Sequence, residues 1–140
     1  MTKSLKTGFD PVLLVAALAV LHVPVTVLCA VVAGNSIWVA PVVSIAFAGM
    51  AITAWRIGDN WAPGLVALGL IGQAVAITTA MSGHQWQTDT HMLFFALMAA
   101  LVVLVDVRAL LAAAALVVVH HLSLAVVFPA LIYPDSGIVL

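Results

Sequence analysis

Five long apolar stretches, separated by short polar segments, constrain the fold of this sequence more than any other feature. They run over about 11–33, 37–57, 62–81, 90–105 and 109–128. A hydrocarbon core about 30 Å thick takes roughly 20 residues of helix to cross. Only 6% of the 140 residues are charged, whereas a soluble domain carries about 25%. The sequence therefore predicts an all-α integral membrane bundle of five transmembrane helices, which forms a single domain over residues 1–140.

The basic residues predict the orientation of this bundle. With the N-terminus in the cytoplasm, the basic side chains of the chain all lie on the cytoplasmic side, namely Lys3, Lys6, Arg56 and Arg108. This is the arrangement that the positive-inside rule favours. Five spans then place the C-terminus in the periplasm of a bacterial inner membrane. Four tryptophans lie near the proposed helix ends, where amphipathic rings prefer the membrane interface: Trp38, Trp55, Trp61 and Trp86.

Composition also bounds the partners. The net charge is −1 and no basic tract is present, which argues against nucleic acid and leaves the lipid bilayer as the expected partner. The third stretch is rich in small residues, which let helices approach closely in lipid: Gly64, Gly69, Gly72, Ala76 and Ala80. This stretch is therefore expected either to pack centrally within one chain or to form contacts in a homodimer or larger membrane complex.

Three histidines are expected deep in the membrane. His22 lies eleven residues after Pro11, and His120 lies eleven residues after Ala109, on helices that run in the same direction. At 1.5 Å per residue, His22 and the His120–His121 pair lie about 16 Å above the cytoplasmic boundary. Ionisable residues at such depth usually line a functional interior. A haem b group with His22 and either His120 or His121 as axial ligands is the leading hypothesis, against imidazoles that simply hydrogen-bond to backbone carbonyls.

A second polar group is expected near the outer surface. His84, Asp89 and His91 lie around the start of the fourth helix, where they are candidates for a copper or zinc site. Alternatively, Asp89 orients His91 by a hydrogen bond, or all three are ordinary interface residues. With haem bound, His91 would be a hydrogen-bond donor, a propionate partner or part of a second site. A depth offset of about 8 Å argues against His91 and His121 sharing one metal.

Several short motifs occur in a fixed order along the chain: Leu21-His22-Val23-Pro24-Val25, His91-Met92-Leu93-Phe94-Phe95, Asp106-Val107-Arg108 and His120-His121-Leu122, followed by Pro129. Their order resembles that in the N-terminal membrane region of some bacterial methyl-accepting chemoreceptors and diguanylate cyclases. The resemblance implies a sensory input module in which His22, His91, His120 and His121 are the recurrent histidines. Relative to that family the sequence stops after five helices, before the last membrane helix and the output domain.

Three functions are open at this point. The first is a haem b module that acts as a redox or gas sensor, or as a small electron carrier. The second is a copper- or zinc-binding sensory domain, whose metal ligands would be drawn from His22, His91, His120 and His121, with His84 and Asp89 as further candidates. The third is a cofactor-free membrane interaction subunit. Enzymatic activity is not favoured, because the sequence contains no nucleophile–base arrangement, phosphate-binding loop or zinc-protease motif.

Overall fold

The structure, a computed structural model, describes residues 8–127 apart from the side chain of Leu124. Lys3, Lys6, Pro129 and both termini lie outside the described residues. The described elements are α1 (Pro11–Ala33), α2 (Val39–Ile57), α3 (Ala62–Ala80), α4 (Gln87–Ala100), a 3₁₀ helix (Leu101–Leu104) and α5 (Val107–Val127). The expected all-helical fold is confirmed for this part of the chain. Five helices are long and apolar enough to cross a membrane, if α4 is counted together with the 3₁₀ helix.

Local sequence signals explain where the helices begin and end. The Asp10 carboxylate accepts hydrogen bonds from the backbone N–H groups of Val12 and Leu13, so it caps the start of α1. Gly34 ends α1 with a φ of +68°, a left-handed conformation that glycine adopts without a steric penalty. The Trp55 indole N–H donates to Asp10 at 3.0 Å. This bond fastens the start of α1 to the last turns of α2.

Helix α3 is the centre of the bundle. It packs against α1, α2, α4 and α5, and most of its side chains are buried. Its glycines allow the closest of these approaches: a Cβ atom placed on Gly69 would lie 2.7 Å from the Ala51 Cβ and 2.8 Å from the Phe47 carbonyl oxygen. A Cβ on Gly72 would enter the Phe47 ring. Gly69 and Gly72 therefore serve packing within the chain.

A buried polar network ties α1, α2 and α3 together. The Gln73 amide donates to the Ser44 carbonyl at 3.0 Å, and the Ser44 hydroxyl donates back to the Gln73 side-chain oxygen. The Thr26 hydroxyl lies 3.3 Å from the Ser44 hydroxyl and 3.0 Å from the His22 carbonyl. All three side chains are fully buried. Such satisfied networks fix one helix register, because any slip would leave polar atoms unpaired.

The α4–α5 turn contains neither glycine nor proline. Val105 adopts a φ of +49°, which is strained for a β-branched residue. Asp106 follows it and accepts a hydrogen bond from the backbone N–H of Arg108 at 2.8 Å. The Arg108 guanidinium pairs with the same carboxylate at 3.2 Å. Hydrogen bonds from the side chain and backbone of Arg108 lower the pKa of Asp106, so this cap of α5 keeps its charge at neutral pH.

The close contact between α2 and α3 predicts different outcomes for two glycines on one helix. We expect Gly69→Ala to lower the free energy of unfolding by about 1–3 kcal/mol, because the new methyl group meets backbone as well as side-chain atoms. Gly64→Ala is the matched control, since a Cβ there has open space within 4 Å. Its stability should stay the same or rise by up to about 1 kcal/mol. Unfolding in detergent measures both, and equal effects would contradict the proposed packing.

Candidate functional site

Three histidines from α4 and α5 come together around one phenylalanine. The His91 and His121 ring centroids lie 5.9 Å apart, and those of His120 and His121 lie 5.2 Å apart. The Phe94 ring contacts both α5 histidines, with centroids 5.5 Å from His120 and 5.4 Å from His121. We call His91, His120 and His121 the α4/α5 histidine cluster.

The short separation of His91 from His121 contradicts the depth offset of about 8 Å that the sequence suggested. The reason is the geometry of the hairpin that α4, the 3₁₀ helix and α5 form. From His91 to Ala100, α4 rises by about 13.5 Å, and the four residues of 3₁₀ helix add about 8 Å. From Val107 to His121, α5 rises by about 21 Å. The two arms of the hairpin are therefore matched in length, and they carry both imidazoles to the same level.

Two of the clustered imidazoles are anchored in the same way. His91 Nδ1 lies 2.9 Å from the Gln87 carbonyl oxygen, and His121 Nδ1 lies 2.8 Å from the Val117 carbonyl oxygen. A carbonyl only accepts hydrogen bonds, so Nδ1 must carry the proton in both rings. The neutral ring then keeps its lone pair on Nε2. Metal-binding histidines are commonly oriented in this way, with one nitrogen held by a carbonyl and the other free to ligate.

Among residues 8–127, two Nε2 atoms of the cluster are buried without a hydrogen-bond partner. They belong to His91 and His120, and the His120 side chain as a whole is only 8% exposed. An unsatisfied buried polar group costs about 1–3 kcal/mol, so two of them in one place call for an explanation. A neighbouring cavity of about 400 Å³ offers no polar side chain besides the histidines: it is lined by His91, Phe94, Phe95, Met98, Val117, Val118 and His121.

His22 lies apart from this cluster. Within residues 8–127 it makes no ring contact with another histidine. Helix α1 packs on α2 and α3, whereas α5 packs mainly on α3, so α3 lies between His22 and the α5 histidines. The expected pairing of His22 with His120 or His121 on one haem therefore does not fit this arrangement. Equal depth, which was the basis of that expectation, does not bring two helices side by side.

His22 instead lines a groove between α1, α3 and α4, which we call the α1/α4 groove. Its Nδ1 atom lies 2.7 Å from the Leu18 carbonyl oxygen, the same anchoring as in the cluster. The groove has a volume of about 580 Å³ and is mostly apolar. Its lining comprises His22, Val25, Cys29, Ile77, Met81, Trp86, Asp89, Thr90, Met92, Leu93 and Ala96.

The structure does not bring His84, Asp89 and His91 together into the expected outer site. Asp89 lines the α1/α4 groove, whereas His91 faces α5 from the other side of α4. The Gln87 carbonyl, rather than the Asp89 carboxylate, orients the His91 ring. His84 lies in the turn before α4, where its Nδ1 accepts the Trp86 backbone N–H at 3.2 Å. Two residues of separation place Asp89 and His91 on opposite faces of a helix.

Phe94 and Gln87 are the members of the site that sequence reasoning missed. Their spacing contained the signal, because residues three and four apart share a helix face. Gln87 precedes His91 by four residues and Phe94 follows it by three. In the part of the chain that the structure describes, no three His, Cys, Asp or Glu side chains already stand in ligating positions. Three-fold ligation in the cluster would therefore require rotation of its rings.

Comparisons with known proteins do not identify a function, so the geometry of the site is the basis for proposing one. No family model, curated protein or solved structure matches the chain.

The hydrogen bonds predict that the histidines differ in tautomer. Neutral His22, His91 and His121 should carry the proton on Nδ1, because that nitrogen faces a carbonyl. Neutral His84 should carry it on Nε2, because its Nδ1 accepts an N–H. Nitrogen NMR of ¹⁵N-histidine-labelled protein in detergent at high pH distinguishes the two forms. A Nε2-protonated His91 or His121 would contradict the anchoring.

Proposed function

We propose that this chain is a membrane-embedded sensory input module that binds copper or zinc in the α4/α5 histidine cluster. The observation that carries the proposal is the pair of buried, unpartnered Nε2 atoms of His91 and His120. A bound ion would accept their lone pairs and remove the cost of leaving them unsatisfied. The ring-centroid separations from His121, 5.2 Å to His120 and 5.9 Å to His91, support it. Two imidazoles held at about 2.0–2.1 Å from one ion place their centroids about 5–6 Å apart.

The surface of the bundle supports insertion into a bacterial inner membrane. Large apolar side chains project outward along the helices, among them Leu21, Leu28, Phe95, Leu111 and Leu122, each more than 60% exposed. A water-facing surface does not tolerate an apolar area of this extent. The exposed Trp38, Trp61 and Trp86 immediately precede α2, α3 and α4. Tryptophan favours this interfacial position at the ends of spanning helices.

The position of the cluster favours a sensory role over a purely structural one. Helix α4 packs mainly on α3 and only slightly on α5, so an ion held by both would add a new link between them. Of the five spans, α5 also has the smallest share of residues buried inside the bundle. Metal binding would therefore bias any shift of α5 relative to α4. The resemblance to the input region of chemoreceptors and diguanylate cyclases supports the same role.

Metal binding is the direct test of this proposal. We expect the full chain, purified in mild detergent and equilibrated with copper or zinc salts, to retain about one ion per chain by elemental analysis. His91→Phe and His121→Phe should each weaken binding at least 100-fold, because each removes one of the imidazoles that would hold the ion.

His84→Phe is the matched control, since His84 lies in the turn outside the cluster, and it should bind as the wild type does. Metal-free protein, or retention unaffected by the His91 and His121 substitutions, would overturn the proposal. In that case haem binding in the α1/α4 groove and a cofactor-free interaction subunit remain as the candidate functions.

Haem b is the second candidate, and the α1/α4 groove is the observation that favours it. The groove is mostly apolar and has a volume of about 580 Å³. His22 lies in its lining, and because its Nδ1 bonds to the Leu18 carbonyl, its lone pair is on Nε2. His22 would be the axial ligand that this chain provides, and iron would supply redox or gas-binding chemistry. The α5 histidines would take no part.

A reduced-minus-oxidised absorption spectrum, recorded after expression with ample haem, tests this candidate. We expect a b-type band that His22→Phe abolishes and that His121→Phe leaves intact. Absence of the band rejects haem binding, while metal retention by the cluster is measured separately.

A further inference from the structure

We infer that the ion of the α4/α5 histidine cluster is monovalent copper, Cu⁺, held by the imidazole nitrogens of His91 and His121 with His120 as a third ligand. This inference rests on the proposed metal-binding function and names the ion. It follows from three features of the cluster: its charge, the number of its ligands and the nature of its walls.

The cluster offers neutral ligands only. Its histidines are accompanied by apolar lining residues, and no carboxylate of the described residues lines the cavity. Asp89, the nearest acidic residue to His91 in the sequence, lines the α1/α4 groove instead. An ion bound here therefore keeps its full charge. Because the Born cost of burial grows with the square of the charge, a divalent ion costs about four times as much as a monovalent one of similar size.

The number of ligands also favours Cu⁺ over Zn²⁺. Zinc takes four ligands, either four protein side chains or three side chains and a water. The cluster offers three imidazoles, and among the described residues its cavity has no other polar side chain to supply a fourth ligand or to hydrogen-bond such a water. Cu⁺ is stable with only two or three nitrogen ligands. His91 and His121, at 5.9 Å between centroids, have the separation of two imidazoles on nearly opposite sides of one ion. The ring centroid of His120 lies 5.2 Å from that of His121, and the His120 Nε2 atom has no hydrogen-bond partner among the described residues.

The walls of the cavity suit a soft, poorly hydrated ion. Phe94 lies against both α5 rings, and the Met98 thioether lies in the same lining. Polarisable aromatic and sulfur groups stabilise a soft cation in a site that excludes water. A strongly hydrated divalent ion would have to exchange its water shell for three imidazoles and apolar walls.

The experiment compares monovalent with divalent ions on the intact chain in detergent. The probes are Cu⁺ under a reductant, Ag⁺ as a monovalent ion that undergoes no redox change, and Zn²⁺. All measurements use a Cys29→Ser background, because the Cys29 thiol in the α1/α4 groove is a competing soft ligand. We expect about one Cu⁺ or Ag⁺ per chain after desalting, with an affinity at least 100-fold higher than that for Zn²⁺.

The variants test the ligand assignment. His91→Phe and His121→Phe should each lower Cu⁺ affinity at least 100-fold, and His120→Phe at least tenfold, while His84→Phe leaves it unchanged. A near-ultraviolet circular dichroism spectrum checks that each variant is folded, and X-ray absorption of the bound copper should report two or three nitrogen neighbours. His120→Phe with unchanged affinity would overturn the assignment of a third ligand.

The inference and the proposed function fail in different ways. Tight Zn²⁺ binding at the same histidines with weaker Cu⁺ binding overturns the inference and leaves the proposed function standing. Failure of every ion to bind overturns both. Cu⁺ binding that survives substitution of all three histidines places the ion elsewhere and likewise overturns the inference.

Discussion

The structure depends on the close approach of its helices to α3. Without bulk at Gly69 and Gly72, the backbone of α2 lies almost against that of α3, and close packing of this kind stabilises helix association in lipid, where the hydrophobic effect does not. The remaining helices then find their places on the other sides of α3. The histidine cluster depends on this arrangement indirectly, because α4 and α5 are positioned more by α3 than by each other.

A second constraint acts on the polar groups. In an apolar surrounding, each backbone or side-chain polar atom needs a partner within the protein. The bundle meets this demand locally: Gln73 and Ser44 satisfy each other, and His22, His91 and His121 each bond to the carbonyl one turn earlier. Against this background three atoms of the described residues are exceptions, the Thr78 hydroxyl oxygen and the unpartnered Nε2 atoms of His91 and His120, and only the two imidazole atoms lie in one cluster. Exceptions of this kind are where function is to be sought.

The sequence predicted the helices well, because length and apolar composition are local properties. Helix α1 occupies the predicted 11–33, and the other helices lie close to the predicted stretches. The histidine partners could not be predicted equally well. The depth of a residue follows from counting residues along its helix, but which helices are neighbours depends on how they pack around α3. This packing places His22 away from His120. The 3₁₀ turn and the left-handed Val105 carry no glycine or proline signal, so the true register of His91 was hidden as well.

The four residues of 3₁₀ helix beside the α4–α5 turn set the distance between this turn and the α4/α5 histidine cluster. Rewinding Leu101–Leu104 into α-helix would shorten this arm by about 2 Å, since each residue would rise about 0.5 Å less. His91 would then be drawn toward the turn while His121 kept its height, and the two imidazoles would fall out of level. The winding of Leu101–Leu104 and the relative level of the His91 and His121 rings are thus linked through the length of one helix arm.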